Sequence, residues 1–279
     1  MAVSRGTSTR VDRVVTSGVL WLLAVLTVLP LVLIVIGSIT PTGDLVTGFS
    51  LPSTITGDNF RQAWQTGQFA THLRVSAIVT TAIVAISAVG SIMAGFALGA
   101  LRTPIRGTLA LLFIVGIVVP YEALIIPLYY QLRSLGLTDT YWALILPQSA
   151  LSLAFGVYWM RGFFRSVPRS YLETAWIEGA SSWRLLWGIL VPLARPAIAT
   201  MVILSFMWNW NEFLIPVVMI SDTNKATAPL ALANFQGRFD VNIAELTAAA
   251  IIVAVPIILL YVLLQRRFLA AFVGGRRDA

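Results

Sequence analysis

The feature that most constrains this 279-residue chain is a series of long apolar runs with almost no charged residues inside them. Residues 75–101 contain no Asp, Glu, Lys or Arg, and about 20 apolar residues are enough for a helix to cross the hydrocarbon core of a bilayer. With 58% hydrophobic and only 11% charged residues, the chain has too little polar surface to cover a soluble globule. We therefore expect an all-α, polytopic membrane protein.

Six runs are long enough to form transmembrane helices, and no soluble domain stands out between them. The expected spans are 19–39, 75–101, 109–130, 141–160, 197–220 and 246–264. A signal peptide is the alternative for the first run, but the run is longer than a typical signal core and no small-x-small cleavage site follows it. The expected organisation is an N-terminal segment 1–16, one transmembrane domain 17–270 that includes a polar loop 161–196, and a tail 271–279.

The distribution of basic residues predicts the orientation of these spans. Of the 19 lysines and arginines, five fall in the segments on one side of the membrane, and the other fourteen fall on the opposite side. The five are Arg61, Arg74, Arg133, Lys225 and Arg238. Because cytoplasmic loops carry the excess of basic residues, both termini and the loop 161–196 are expected to be cytoplasmic. Orientation also explains the net charge of +7 better than a nucleic-acid partner does.

The composition argues against catalysis or nucleotide hydrolysis by this chain. Cys is absent, and His72 is the one histidine, so neither a thiolate site, a histidine pair nor an H-E-x-x-H zinc motif is available. The only lysine, Lys225, follows Asn224 in an expected outer loop and cannot serve as a P-loop lysine. An intramembrane enzyme therefore has little support, and no catalytic or metal-binding residue is expected. Energy for transport must come from a partner or from an ion gradient.

The polar loop 161–196 is predicted to form two short helices around a glycine turn. Pro168 can open the first helix, Ser170 and Glu173 have the spacing of a capping box, and Gly179 ends the helix. A second helix is expected from Trp183, Leu186, Trp187 and Leu190, and is expected to close at Pro192 and Pro196.

The same loop carries a resemblance to a known family. Glu173-Thr174-Ala175, three residues, Gly179, nine residues and Ile189-Leu190-Val191-Pro192 are similar to the EAA loop of ABC-importer permeases, written E-A-A-x3-G-x9-I-x-L-P. Thr174 and Val191 depart from that pattern. In that family the loop seats in a cleft of the ATP-binding subunit, which implies coupling roles for Glu173, Ala175, Gly179, Ile189 and Pro192. The alternative is an interfacial hairpin that only links two spans.

Polar residues at membrane depth indicate a candidate substrate path. Glu212 facing lipid would cost about 2.5–3.5 kcal/mol on insertion scales, so it should face a cavity or a partner. Pro216 cannot donate to the carbonyl of Glu212, which we take to lie in mid-helix. Nearby amides and flat rings suit a sugar, whose hydroxyls need hydrogen bonds and whose ring stacks on aromatic faces; they are Asn209, Asn211, Trp208 and Trp210. An interhelical polar clamp or an interfacial aromatic belt is the alternative.

The third and fourth spans supply further candidates. Tyr121 and Glu122 follow Pro120, and Pro127 frees another carbonyl, so we expect a broken helix with both side chains pointing inward. Gln148, one residue after Pro147, is a weaker candidate. A stripe of small residues in the second span is expected to let another helix approach closely; it comprises Ser87, Ser91, Gly95 and Gly99.

Further segments resemble carbohydrate ABC permeases of the maltose type, namely Ile126-Pro127-Leu128-Tyr129, Leu135-Gly136-Leu137 with Thr140, Trp210-Asn211-Glu212-Phe213 with Pro216, and Gln265-Arg266-Arg267-Phe268. The resemblance implies a type I importer permease fold with six spans in a prokaryotic plasma (inner) membrane, for import of a sugar, oligosaccharide or polyol. It also implies a second, non-identical permease, two ATP-binding subunits that use ATP and Mg, and an extracytoplasmic sugar-binding protein. An ion-coupled secondary transporter is the alternative; Glu122 and Glu212 suit it, but inverted repeats are not evident.

Overall fold

The structure, a computed structural model, describes residues 10–42, 52, 54–102, 104–235 and 242–274. Within these ranges the regular structure is helical, without a strand. The α-helices are α1 Arg10–Ile39, α2 Asp58–Thr66, α3 Phe69–Gly99, α4 Arg106–Val118, α5 Tyr121–Ser134, α6 Tyr141–Ser166, α7 Arg169–Ile177, α8 Ser182–Arg184, α9 Val191–Leu193, α10 Arg195–Trp210, α11 Leu214–Met219, α12 Ala228–Leu232 and α13 Ile243–Gly274. A π-helical segment, Leu185–Leu190, joins α8 to α9, and two 3₁₀ turns cover Thr223–Lys225 and Ala233–Phe235.

Among the described residues, the number of candidate spans is four, or up to six if each of two bent helix pairs is counted as one span. Four stretches in the described ranges are long and apolar enough to cross a membrane. They are Val15–Ile39, Phe69–Gly99, Tyr141–Ser166 and Ile243–Leu263. Two helix pairs pass the same test together, Arg106–Val118 with Tyr121–Ser134, bent by 96°, and Ser182–Leu193 with Arg195–Trp210, bent by 79°. The all-α polytopic fold is therefore confirmed.

Some span bounds differ from those the sequence indicated, whereas the end of the first span at Ile39 and the start of the fourth at Tyr141 agree. The second span starts at Phe69, six residues before the expected start, and α6 continues to Ser166. The outer loop expected at 41–71 contains the helix α2. Parts of the expected N-terminal segment, outer loops and tail lie outside the described residues, namely 1–9, 43–51, 236–241 with Arg238, and 275–279.

The chain divides into two compact units, Met1–Gly67 with Phe235–Ile252 and Gln68–Asn234 with Val253–Ala279. In the first unit, Asn59 at the start of α2 is 1% exposed. Its amide donates to the carbonyl oxygens of Ser38, at 2.9 Å, and Thr40, at 2.7 Å. These are two of the carbonyls that a helix leaves without an intrahelical partner at its C-terminus. Asn59 therefore closes the end of α1.

The second unit is organised around the close packing of α3 against α6, which run parallel. A Cβ placed on Gly95 would lie 2.6 Å from Cβ of Met160, and one on Gly99 would lie 3.0 Å from Cβ of Phe164. Because real Cβ atoms do not approach so closely, only glycine fits at Gly95. The expectation that the stripe containing Gly95 and Gly99 admits a neighbouring helix is confirmed, and the neighbour is α6.

Two apolar clusters occupy opposite ends of this helix pair. One contains Phe96, Met160, Phe164, Leu172 and Leu190 and supports the loop after α6. The other contains Val79, Ile83, Ile125, Leu144 and Ile215. The polar residues considered below lie in α5, α6 and α10 and in the break that follows α10.

Candidate functional site

The turn after α7 has the backbone geometry that the sequence suggested for Gly179. Gly179 has φ +78°, a conformation that glycine adopts without a steric penalty. The Ala180 N–H donates to the Ala175 carbonyl at 2.9 Å, and the Gly179 N–H donates to the Trp176 carbonyl at 3.0 Å. These two bonds form a Schellman motif. No described atom lies within 4 Å of a Cβ placed on Gly179, so the requirement for glycine is conformational.

The capping box expected at Ser170 and Glu173 does not form. Helix α7 begins at Arg169, directly after Pro168, and shows no side-chain cap. Ser170 is therefore already inside the first turn, where its hydroxyl cannot act as the N-cap acceptor. The next helix has the serine cap instead, because Ser181 Oγ accepts from the Arg184 N–H at 3.3 Å.

The second helical stretch of the loop ends one residue after Pro192. It runs from Ser182 to Leu193, and α10 begins at Arg195 after a bend of 79°. Pro192 has no N–H for the preceding turn, and the residues just before it, Leu185–Leu190, adopt π-helical turns. The expectation that Pro192 and Pro196 close this helix agrees with its end at Leu193, between the two prolines, and Pro196 itself lies in the first turn of α10.

We call residues 169–193 the hairpin, and large apolar side chains are exposed on its outer surface. Ile177 is 88% exposed, Trp183 62% and Tyr171 57%. Ala175, in contrast, is 3% exposed and belongs to the apolar cluster beneath α7. The inner face of the hairpin is therefore packed against buried apolar residues. Exposed apolar groups of this size concentrated on one segment are typical of a protein-binding surface.

The remaining residues of the EAA-like pattern lie around the hairpin surface. Glu173 is exposed and lines a cleft together with Arg102 and Arg169. Ile189, which is 40% exposed, lines a groove with Tyr171 and Glu178. Pro192 is exposed. The hairpin thus combines acidic and apolar groups on an accessible face.

The second candidate site, which we call the polar cavity, lies among α4, α5, α6 and α10. It encloses about 210 Å³. It brings together five of the eight residues that the sequence placed on a substrate path, Tyr121, Gln148, Trp208, Asn209 and Glu212. Ser152 and Phe155 also line it; sequence reasoning missed both, although each lies on α6 one or two turns from Gln148.

Glu212 is the organising group of the polar cavity. One of its oxygens, Oε2, accepts from the Tyr121 hydroxyl at 3.1 Å, and the other, Oε1, accepts from the backbone N–H of Ile215 at 3.0 Å. The residue does not lie in mid-helix, as expected, but in the break 211–213 between α10 and α11. Pro216 favours that break because its ring would clash with the Glu212 carbonyl in a continuous helix. The side chain then supplies the first turn of α11 with an acceptor.

Amide groups line the opposite wall of the polar cavity. The Asn209 amide donates to Ser152 Oγ at 2.8 Å and to the Ser205 carbonyl at 2.6 Å, which ties α10 to α6. Gln148 is 3% exposed, and its Oε1 has no hydrogen-bond partner among the described residues. An unpaired buried acceptor costs about 1–3 kcal/mol. Gln148 thus lines the cavity, while its Oε1 is an unsatisfied acceptor buried in the wall.

Three of the residues suggested for the path lie elsewhere. Trp210 is 3% exposed, and its indole N–H donates to the Val253 carbonyl at 3.1 Å, which fixes it in the packing against α13. Glu122 and Asn211 are exposed and do not line the polar cavity. The break expected in the third span does occur, at Val119 and Pro120, while Pro127 lies inside α5 without interrupting it.

A cluster of polar side chains outside the spans bonds to the backbone just after α11. Asp139 has φ +59°, and its Oδ1 accepts the backbone N–H groups of Ser221, at 3.0 Å, and Asp222, at 2.9 Å. These two bonds lower the pKa of Asp139 below its ordinary value, and Lys225 adds to the effect. Nζ of Lys225 lies 3.8 Å from Oδ2 of Asp139 and 3.3 Å from Oδ2 of Asp222. The segment that follows the polar cavity is thus tied to the start of α6.

Comparisons with known proteins agree on one family. The model of the family described as binding-protein-dependent transport system inner membrane component matches residues 89–272. The diacetylchitobiose uptake system permease protein NgcG of Streptomyces coelicolor is 29% identical over 279 residues, covering 99% of this chain and 92% of that protein. The trehalose transport system permease protein SugB of Mycobacterium tuberculosis is 32% identical over 249 residues, covering 88% of this chain and 91% of that protein.

A third relative and a solved structure extend the comparison. The arabinooligosaccharides transport system permease protein AraQ of Halalkalibacterium halodurans is 32% identical over 259 residues, covering 91% of this chain and 92% of that protein. A chain in the crystal structure of a bacterial ABC transporter involved in the import of the acidic polysaccharide alginate superposes with a TM-score of 0.79. That match covers 96% of this chain and 100% of the other at 22% identity, and it bears on the fold alone.

Proposed function

Because this chain belongs to the family of inner membrane components of binding-protein-dependent transport systems and is a permease subunit of an ABC importer, we propose that its polar cavity is part of the path of a sugar, oligosaccharide or polyol. The relatives named above are permeases for diacetylchitobiose, trehalose and arabinooligosaccharides. The observation that carries the proposal is the convergence of Glu212, Gln148 and Asn209 beside the aromatic side chains of Trp208 and Phe155.

The chemistry of the polar cavity suits an uncharged polyhydroxylated substrate. A sugar hydroxyl both donates and accepts, and the cavity is lined by the carboxylate of Glu212 and by the amide side chains of Asn209 and Gln148. The ring faces of a sugar are apolar enough to stack on aromatic side chains. Trp208 is 54% exposed and packs edge-on against Phe155, with ring centroids 4.7 Å apart. That contact fixes the indole while leaving a face of it accessible.

The size of the polar cavity favours a path shared with a second permease subunit. Closed small-molecule sites usually enclose about 300–1,000 Å³, whereas this cavity encloses about 210 Å³. It also opens at the exposed Trp208. A partner subunit facing this opening would complete the site. We therefore include a second permease, of the same kind but not identical, in the proposed complex.

The hairpin is proposed to bind an ATP-binding subunit on the cytoplasmic side. Its exposed Ile177, Trp183 and Tyr171 need an apolar partner surface, and Glu173 offers a charge beside them. The excess of arginine on this side of the membrane favours the cytoplasm. Two such subunits would hydrolyse ATP with Mg, while an extracytoplasmic sugar-binding protein delivers the substrate. Both termini would then be cytoplasmic, in the plasma membrane of a prokaryote.

The energy source of transport can be tested with the whole importer reconstituted in proteoliposomes. Uptake of a radiolabelled sugar should require ATP on the side of the ATP-binding subunits and should also require the binding protein. Collapse of the proton and sodium gradients should leave the rate unchanged. Uptake that continues without ATP and stops when the gradients collapse would instead identify an ion-coupled transporter.

The role of the polar cavity needs a matched pair of variants. Asn209→Ala should reduce the rate of sugar uptake, whereas Asn211→Ala, which changes the same side chain two residues away but outside the cavity, should not. Assembly of each complex is measured in parallel by co-purification of the ATP-binding subunit. If Asn209→Ala lowers only the yield of assembled complex, the hydrogen bond to Ser152 is an interhelical clamp and the proposal fails.

A further inference from the structure

A second polar cavity, which we call the arginine cavity, lies at the opposite end of the α3–α6 pair from the outer loops, on the side of the hairpin. It encloses about 440 Å³. Four arginines line it, Arg106 from α4, Arg161 and Arg165 from α6, and Arg169 from α7. Its described lining contains neither Asp nor Glu. Arg106, Arg165 and Arg169 are exposed, so water screens part of their mutual repulsion, but an anion placed between the four side chains would be attracted by all of them.

These arginines are unneutralised within the described part of the chain. Each ion pair found among those residues involves Arg61 or Lys225. The nearest carboxylate in sequence, that of Glu173, lines the neighbouring cleft with Arg169 but forms no ion pair with it at 4.0 Å or less. In addition, the Nε of Arg161 is buried and has no hydrogen-bond partner among the described residues. A buried donor without an acceptor is costly, and this one adds an unsatisfied polar group to the wall of the arginine cavity.

The backbone adds to the positive potential of the arginine cavity. Helix α4 begins at Arg106 and α7 begins at Arg169, and neither has a side-chain cap in the described structure. The first N–H groups of a helix have no intrahelical partner, and the helix dipole places positive potential at that end. The positive ends of two helices therefore begin at residues that line the arginine cavity, which adds to its attraction for a phosphate.

The position of the arginine cavity points to a phosphate held at the membrane surface. Its lining includes Gly99, the last residue of α3, and Arg165 near the end of α6. Both helices are candidate membrane spans, so their ends lie at the level of the lipid headgroups. From the same rim, α4 presents a row of exposed apolar side chains suited to acyl chains. This row contains Ile105, Leu111, Leu112 and Val115, which are 57%, 58%, 64% and 48% exposed.

From these observations we infer that the arginine cavity binds the phosphate of an anionic phospholipid headgroup, with the acyl chains along α4. Basic pockets between transmembrane helices on the cytoplasmic side suit such headgroups. The ligand is distinct from the transported sugar, and the inference does not depend on the substrate. An anionic lipid here would neutralise the arginines directly beneath α7 and so support the base of the hairpin.

The test uses the detergent-purified, delipidated importer complex and measures binding by native mass spectrometry. The probes are short-chain phosphatidylglycerol, short-chain phosphatidylcholine and inorganic phosphate. Phosphatidylglycerol should bind more tightly than phosphatidylcholine. The double variant Arg106→Gln with Arg165→Gln should weaken phosphatidylglycerol binding by roughly tenfold to thirtyfold, because each basic residue near an anionic lipid contributes about 1 kcal/mol.

Two further variants make the outcome interpretable. Arg133→Gln with Arg195→Gln removes the same charge from exposed positions outside the arginine cavity and should leave the affinity within about twofold of the original. Arg106→Lys with Arg165→Lys retains the charge and should recover most of the binding, which separates a binding defect from misfolding.

Three outcomes would overturn the inference. The first is equal binding of the two lipids by the unaltered complex. The second is inorganic phosphate that binds in the cavity and displaces no lipid, which would make it a site for free phosphate. The third is loss of the ATP-binding subunit from the glutamine double variant while phosphatidylglycerol binding stays normal, because the arginines would then bind a partner's carboxylates.

Discussion

The hairpin and the polar cavity use polar and apolar side chains in opposite ways. In the hairpin, apolar groups such as Ile177, which is 88% exposed, face outward, and the turn is held by backbone bonds around Gly179. In the polar cavity, charged and amide groups face inward and bond to one another across helices, as Glu212 does with Tyr121. The hairpin surface is therefore incomplete without another protein. The cavity, in contrast, is largely satisfied within the chain and leaves only a few groups for a ligand.

The largest effect should come from the turn that shapes the hairpin. Gly179→Val places a β-branched residue at φ +78°, which costs about 1–3 kcal/mol or more and should displace Ile177 from its position. ATP-driven uptake should fall by about a hundredfold, and the ATP-binding subunit should no longer co-purify, while the spans still insert. Because asparagine tolerates this backbone region, Gly179→Asn should retain much of the activity. Equal damage from both variants would show that the glycine is needed for space rather than for conformation.

The next largest effect should come from the centre of the polar cavity. Glu212→Ala removes the acceptor for both the Tyr121 hydroxyl and the Ile215 N–H. Hydrogen bonds to charged groups contribute about 1.5–3 kcal/mol, so uptake should fall by roughly tenfold to a hundredfold. Glu212→Gln retains an acceptor oxygen and should lose less. The measurement is the sugar uptake rate per assembled complex; unchanged uptake in the alanine variant would remove Glu212 from the path.

A smaller effect is expected from the aromatic wall. Trp208→Ala removes an accessible ring face, and stacking of this kind contributes about 0.5–1.5 kcal/mol. The half-saturating sugar concentration should therefore rise by roughly threefold to tenfold, with the maximal rate less affected. Trp142→Ala, at a tryptophan that is 52% exposed but outside the cavity, is the matched control. If the two variants behave alike, Trp208 is an interfacial anchor and not a ligand contact.

The smallest effect should come from the cluster that anchors α11 beyond the polar cavity. The backbone donors at Asp139 lower the pKa of its carboxyl, so its contribution to stability is complete above about pH 4, the ordinary pKa of Asp. That contribution is lost as the pH falls through the lowered value. At neutral pH Asp139→Asn should therefore lower the Tm of the complex by about 2 °C or less, since the group is exposed.

The pH dependence supplies the check on that prediction. The difference in Tm between Asp139→Asn and the unaltered protein should stay constant from pH 7 to about pH 5 and shrink below about pH 4. A difference that grows as the pH falls would mean that the carboxyl is not the group responsible.

The two regions also differ in how far the sequence alone predicted them. The turn at Gly179 depends on a few neighbouring residues, so spacing was enough to place it. Pro216 indicated a free carbonyl at Glu212 but was not taken to break the helix, and the hydrogen bond that places Glu212 beside Tyr121, 91 residues away, could not be predicted from the sequence. The burial of Trp210 could not be predicted from the sequence either, because its indole N–H donates to the carbonyl of Val253 on another helix.

Local rules also failed where two signals competed. The expected capping box at Ser170 and Glu173 does not form, because α7 begins at Arg169, directly after Pro168. Ser170 therefore lies inside the first turn. The arginines of the hairpin side were predicted only as markers of orientation. Their convergence on one cavity depends on the packing of α4, α6 and α7, which no spacing within the chain reveals.

The central claim is that the hairpin lies in the cytoplasm and binds an ATP-binding subunit, and it can be tested with one labelling measurement. The chain contains no cysteine, so Ile177→Cys introduces a single reactive thiol at the exposed tip of the hairpin. We predict that a membrane-impermeant maleimide labels this thiol from the cytoplasmic side only, and that the ATP-binding subunit protects it. Ile55→Cys, in an outer segment and 76% exposed, should show the opposite sidedness. Labelling of Ile177→Cys from outside the cell, or the absence of protection, would contradict the account.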